Sequence, residues 1–375
     1  MNFSIVTPSY NQLDWLRLCV ASVRDQTGHE SRDQSRASRT ASPRPSILDP
    51  RPRPPLTVEH IIQDAGTPGI EDFAREIGAD FYRDGHLVFG EGETSDEGRA
   101  SRGEIRESSE SSTSPATNTP RPSPPDPQAT STESSAAMSN EQSTISNYTC
   151  KVYCEHDRGM YDAINRGLRR ASGEIRAYLN CDEQYLPGTL DFVANWFQRN
   201  PAKEVLFGDA IVVDDKGGYL CDRRVMPPTD WHTRVSGNLS FFTAATFFRT
   251  SVVTEKEILF NPEWKAVGDA VWALELVRQR VKMGTCSTAL STHTDTGENL
   301  ILSPSSVEET RRFHDAAPRI ARISKKLLLI GYRLRRLLAG AYRIQPHSYA
   351  IYTRSLPKIR TVFDVRHPTH QWKNR

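Results

Sequence analysis

The sequence predicts an α/β protein, a mostly parallel sheet flanked by helices, interrupted by polar inserts and followed by a basic helical extension. Two observations predict it. Short β-rich runs alternate with stretches of helical periodicity. The polar clusters of the chain fall at the carboxyl ends of those runs, where parallel sheets hold their ligands.

Residues 3–7 (FSIVT) form a β-rich run ending in Pro8-Ser9-Tyr10-Asn11, a turn-prone cluster that also supplies a helix N-cap. Leu13, Leu16, Val20 and Val23 then recur at helical spacing to about Gln26, so strand, loop and helix open a βαβ unit. Residues 57–63 (TVEHIIQ) read as the next strand, closed by Asp64-Ala65-Gly66-Thr67-Pro68-Gly69 before a helix over 70–77. A strand over 151–154, a helix over about 160–171 and a strand over 174–179 lead into the tetrad Asn180-Cys181-Asp182-Glu183. Beyond Pro187 come a helix over 188–198, a strand over 205–208, a polar hairpin around 214–218, a Phe-rich stretch over 241–248 and a helix from about 269 to 282. Residues 318–342 predict one basic amphipathic helix with Ile320, Ile323, Leu327, Ile330, Leu334 and Leu337 along one side.

The 375 residues are enough to bury a substantial core, yet only 37% are hydrophobic. That deficit sits in two stretches, about 29–56 and 91–147, rich in Ser, Pro, Arg, Thr and Glu and poor in residues that pack; they are expected to be disordered inserts in a domain over 1–300. Residues 301–375 are expected to form a helical basic extension. With 48 basic against 46 acidic side chains, a net charge of +2 gives no global reason to expect a nucleic-acid binder. Six scattered cysteines with no Cys-x-x-Cys pair read as reduced thiols. No cationic start and apolar run precedes the first strand, so a cytoplasmic location is expected. The basic helix either packs its Leu stripe against the rest of the chain or lies on an anionic membrane surface as a peripheral contact.

Four constellations carry candidate chemistry, and each also has an ordinary structural reading. Asn180, Asp182 and Glu183 offer hard oxygens suited to Mg2+ or Mn2+, or else form a solvated turn. In Glu155 to Gly167, Asp162 and Asn165 share a helix face, with Arg158 and Gly159 at a helix start that favours phosphate; the alternative is a capped helix with an Asp162 to Arg166 ion pair. Asp269, at another helix start, is either an N-cap or a base that accepts a hydroxyl proton. Asp64 either accepts a hydrogen bond from a nucleobase, with Pro8 and Tyr10 beside it, or closes an Asx-turn.

Together these blocks resemble the family 2 glycosyltransferases, which have the GT-A fold. SIVTPSYNQLDWLRLCVASVRDQT is similar to that family's first strand, nucleotide loop and helix; HIIQDAGT is similar to its second strand with a base-binding aspartate. EHDRGMYDAINRGLRRASGEIRAYLNCDEQYLPGTL resembles the segment that ends in the D-x-D metal motif, and FNPEWKAVGDAVWALELVRQ the acceptor-side segment. The resemblance implies inverting transfer of a sugar from a nucleotide-diphosphate donor to an acceptor hydroxyl on a glycan or lipid-linked acceptor, in polysaccharide or glycoconjugate biosynthesis. It implies Asp269 as base, Pro8, Tyr10, Asp64, Asp157, Arg158 and Asp162 toward the donor, and Asp182, Asn180 and Glu183 at the metal. Departures are Asn180 for an acid, Glu183 for a second aspartate, Gly268 before Asp269, and Thr243 where relatives often carry a histidine. A nucleotide-sugar-binding protein with impaired catalysis is the alternative these departures keep open. A nucleotidyltransferase would need a Gly-rich basic loop after the first strand, which TPSYNQLD lacks. His293 is expected at the surface, the less favoured reading being an approach to the diphosphate.

Overall fold

The computed structural model describes residues 1–27, 56–90, 147–236, 239–297 and 304–372. The two expected inserts lie outside the described residues except at their edges.

β1 (Asn2–Ser9), β2 (Thr57–Asp64), β5 (Tyr148–Cys154) and β6 (Ile175–Tyr178) run parallel, in the spatial order β5-β2-β1-β6. β3 (Asp80–Arg83) and β4 (His86–Phe89) extend the sheet beyond β5. Beyond β6 come β10 (Thr246–Arg249), β8 (Val205–Asp214), β11 (Met283–Asp295) and β7 (Gln184–Tyr185), with β9 (Tyr219–Arg223) paired to β8. β1 is buried from Phe3 to Ser9, as a central strand covered on both faces must be.

Successive residues of β1 feed opposite layers. Ile5 packs with Leu16 and Val20 of α1 (Leu13–Arg24), Phe73 of α2 (Ile70–Ile77) and Leu190 of α4 (Thr189–Arg199). Val6 packs with Tyr161, Ile164 and Leu168 of α3 (Met160–Arg170), with Val252 of α6 (Ser251–Thr254) and with Trp272 of α7 (Gly268–Arg278). The chain therefore leaves β1 to one side for β2 and β5 and returns on the other for β6. The strand order reverses between β1 and β6, the switch point at whose carboxyl ends such sheets place their ligands.

The C-terminal part departs from the expected single helix. α8 (Pro304–Asp315) is followed by α9 (Arg319–Ile323) and α10 (Lys325–Leu338), broken at Ser324, whose hydroxyl turns back to donate to the Ile320 carbonyl. Of the two expectations for the Leu stripe, packing against the rest of the chain is corrected. Ile323 is 85% exposed and Leu327 72%, and Ile320, Ile330, Leu334 and Leu337 are exposed as well. The contact runs instead through Ala321 and Leu328, against Val235 of α5 (Asp230–Ser236), and through Tyr332 stacked on His232 at 3.8 Å. The extension is also not wholly helical: β12 (His347–Thr353) and β13 (Leu356–Val365) form an antiparallel hairpin. Tyr349 and Ile351 of this hairpin pack on Ile211 and Val213 of β8. Arg360 is buried and reaches Asp25 at 2.6 Å, while donating to the Tyr185 and Ala350 carbonyls.

Candidate active site

The loops after β1, β2, β5 and β6 all leave the same end of the sheet and are tied to one another. Ala65 N–H donates to the Ser9 carbonyl, Asn11 N–H to the Thr67 hydroxyl, and Glu155 N–H to the Asp64 carbonyl. The Cys181 thiol donates to Gln12 Oε1 at 2.7 Å, joining the β1 and β6 loops. Four of the predicted polar clusters therefore meet at one end of the sheet.

At the β6 loop, Glu183 is buried and both its oxygens are committed. Oε2 accepts the Asn180 N–H at 2.9 Å, and Oε1 faces His293 Nδ1 at 2.9 Å. The expectation of a surface His293 is corrected, because β11 runs beside this loop and carries the ring into an ion pair. Burial opposes charge on His293, but the Glu183 hydrogen bond and the carboxylates of Glu183, Asp182 and Asp295 outweigh it and raise its pKa. Asp182 is pushed up to about 6, first by burial and then by Glu183.

Among the described residues no group of three or more His, Cys, Asp or Glu side chains converges as a metal cage. The donor set nevertheless fits a divalent cation. Asn180 Oδ1 is buried and has no hydrogen-bond partner, and it belongs to the same short loop as the Asp182 carboxylate. An orphaned amide oxygen near a desolvated carboxylate is better suited to a hard cation than to an empty interior. Glu183, held by Asn180 and His293, shapes that loop.

Asp269 opens α7 on the other side of β6. Tyr178, the last residue of β6, donates its hydroxyl to Asp269 Oδ1 at 2.7 Å, and the Asp269 N–H donates to the Tyr161 hydroxyl at 3.2 Å. Burial pushes the Asp269 carboxyl up to about 6; hydrogen bonds from Tyr178 and Tyr161 pull it down and the Glu183 charge pushes it further up. The influence of Glu183 on Asp269 puts the two carboxylates in one electrostatic neighbourhood. Gly268 is explained sterically, since a Cβ there would fall inside 3 Å of the Tyr161 ring. Thr243 hydrogen-bonds Tyr178 from the adjacent turn.

The remaining predicted donor residues lie around the same end of the sheet, with their side chains largely engaged. Asp64 is buried, accepting from Gly66 N–H, Thr67 N–H and the Thr67 hydroxyl at 2.6 to 2.8 Å, so its carboxylate closes an Asx-turn. Next to that turn an open depression of about 560 Å³ is lined by Gly66, Thr67, Ile70, Glu71, Arg83 and Cys154. Pro8 is buried in β1 and Tyr10 is 62% exposed. Asp157 accepts the Gly159 N–H, where φ of +114° suits glycine. Asp162 accepts the Arg158 N–H and pairs with Arg166 at 3.0 Å, the ion pair of the ordinary reading. Arg158 projects outward, its side chain 74% exposed.

Sequence reasoning missed Tyr161 and Tyr178 as partners of Asp269. A tyrosine ending a buried strand was the available signal, because its hydroxyl needs a partner. Trp372, which donates to Asp295 and meets the His293 ring edge-on at 5.7 Å, left no such signal.

Residues 130–249 match the sequence profile described as glycosyl transferase family 2, a stretch that includes β5, α3, the Asn180 to Glu183 loop and β10. The fold and this match define the class, glycosyltransferases of GT-A fold. The matched stretch covers 120 of the 375 residues, about a third of the chain. No curated protein matches by sequence. Among solved structures, the chain is similar to S. aureus TarS at 14% identity, with 90% of this chain and 44% of that chain covered and a TM-score of 0.45. It is similar to S. aureus TarS 1-349 in complex with UDP-GlcNAc at 13% identity, covering 90% and 73%, with a TM-score of 0.45. It is similar to the mannosyltransferase PcManGT from Pyrobaculum calidifontis in complex with GDP-Man and Mn2+ at 13% identity, covering 90% and 79%, with a TM-score of 0.39. The chain spans less than half the length of the first of these.

Proposed function

We propose that the chain transfers a sugar from a nucleoside-diphosphate donor to an acceptor hydroxyl with inversion, using Asp269 as the base. The observation that carries this is the placement of Asp269, a carboxylate raised to about 6 and aimed by Tyr178, in the electrostatic reach of the β6 metal loop. A base with that pKa is mostly ionised at neutral pH yet basic enough to accept a proton as the acceptor oxygen attacks the anomeric carbon. Tyr178 and Tyr161 hold it in place, and the new glycosidic bond forms as the bond to the nucleoside diphosphate breaks.

Asp182 and the Asn180 amide oxygen would hold Mg2+ or Mn2+, and Glu183 would fix their loop through Asn180 and His293. Such an ion supplies charge neutralisation to the leaving diphosphate. The depression beside the Asp64 turn is the place for the nucleobase, with Pro8 and Tyr10 at the neighbouring strand end and Asp157, Arg158 and Asp162 at the α3 start toward the phosphates. In this reading residues 1–300 carry the transfer and residues 301–375 form an extension to it. Six free cysteines suit a reducing, cytoplasmic setting. The acceptor is a growing polysaccharide or glycoconjugate, presented on a membrane that the basic helices contact peripherally.

The test is thermal stabilisation by a panel of nucleotide sugars with and without Mn2+, followed by assay of released nucleoside diphosphate. Mn2+-dependent stabilisation and turnover are expected, with the Mn2+ effect lost in Asp182→Ala. Stabilisation without donor consumption would replace this reading by that of a nucleotide-sugar-binding protein.

A further inference from the structure

We infer that α9 and α10 form a docking surface for an anionic lipid bilayer. Four observations converge on it. Six large aliphatic side chains, Ile320, Ile323, Leu327, Ile330, Leu334 and Leu337, form one row across both helices and stand in water. The opposite face is already used, by Ala321, Leu328 and Tyr332 on α5, so the helices are held in place and cannot roll the row inward. Between residues 319 and 338 there are seven Lys and Arg and no Asp or Glu. No helix among the described residues is long and apolar enough to cross a membrane, so the row can enter only the interfacial layer.

Charge decides between occupants. A second copy seated on this row would bring seven cations against seven, whereas an anionic headgroup layer meets them with the opposite sign while the aliphatic row enters the acyl boundary. The surface is also coupled to the site. α5 packs on α7 as well as on α10, and Glu309 of α8 accepts the N–H groups of Lys265 and Ala266, just before Asp269. An acceptor anchored in the same bilayer would thus be a lipid-linked hydroxyl delivered near Asp269, a clause that rests on the glycosyl-transfer reading.

The full chain is sedimented with vesicles of phosphatidylcholine alone and of equimolar phosphatidylcholine and phosphatidylglycerol. Binding to the anionic vesicles should exceed that to the neutral ones by roughly tenfold or more and fall with added salt. Leu327→Ser with Leu334→Ser, and separately Lys325→Glu with Lys326→Glu, should each reduce it about tenfold or more without altering the circular dichroism spectrum. The inference is overturned if the folded wild-type chain stays in the supernatant, if the variants bind as it does, or if the Leu pair instead abolishes a dimer seen by analytical ultracentrifugation. Donor consumption by the same samples is read separately: turnover without sedimentation refutes only the docking, and sedimentation without turnover refutes only the transfer.

Discussion

Replacing Asp269 by Asn keeps the shape and the hydrogen bond from Tyr178 while removing the charge. For an aspartate, a rise from 3.8 to about 6 means that the folded protein holds the proton more tightly than the unfolded chain. Stability is therefore unaffected by this group below pH 3.8, falls as pH rises to about 6, and stays lower above it. At roughly 1.4 kcal/mol per tenfold change in affinity, the ionised carboxylate costs up to about 3 kcal/mol at neutral pH. Asp269→Asn should recover part of that in urea melts at pH 7.5 and nothing at pH 3.5. Activity should move the other way. In the wild type, kcat/KM should climb along a limb of apparent pKa about 6, where the base loses its proton, and level off above. The Asn variant should lack the limb and be slower by roughly 10² to 10⁴, with donor binding retained by calorimetry. Turnover within a few-fold of wild type, or an unchanged limb, would refute the assignment of the base.

Tyr178→Phe removes the strongest downward pull on Asp269, so the acid limb should move to higher pH, and the loss of a buried hydrogen bond should cost about 1 kcal/mol in denaturant melts. Glu183→Gln retains an acceptor for the Asn180 N–H but removes a charge that raises both His293 and Asp269; in the metal-free protein, NMR titration should show the His293 pKa falling, and the acid limb should shift to lower pH. Gly268→Ala drives a methyl group into the Tyr161 ring and should destabilise by about 1 to 3 kcal/mol, with transfer reduced because Tyr161 holds the Asp269 N–H; wild-type melting would show that the ring yields freely.

What could be read from the sequence was set by local physics. β1 and β2 announce themselves through continuous burial-prone runs, and the helix over Ile70–Ile77 through its turn and its apolar spacing. β3, β4, β12 and β13 went unseen although each pair closes through a tight local turn, because the strands are short or half exposed and show little apolar alternation. The break at Ser324 hid behind an unbroken apolar period. In the site, residue types at strand ends marked Asp182, Asp64 and Asp269. Their roles depended on neighbours far along the chain: Thr67 closing on Asp64 was local, but His293 on Glu183 is 110 residues away and Tyr178 to Asp269 is 91.

Arg360 gives the chain an order of completion. Its guanidinium closes on Asp25, 335 residues earlier, at the end of the first helix. During synthesis that early carboxylate waits for 335 further residues to emerge before its counterpart exists, so this tie on the first helix forms late. A shortened chain ending near residue 318 would forfeit this latch together with the lipid-facing row. Exposed point substitutions separate the two roles, whereas deletion merges them.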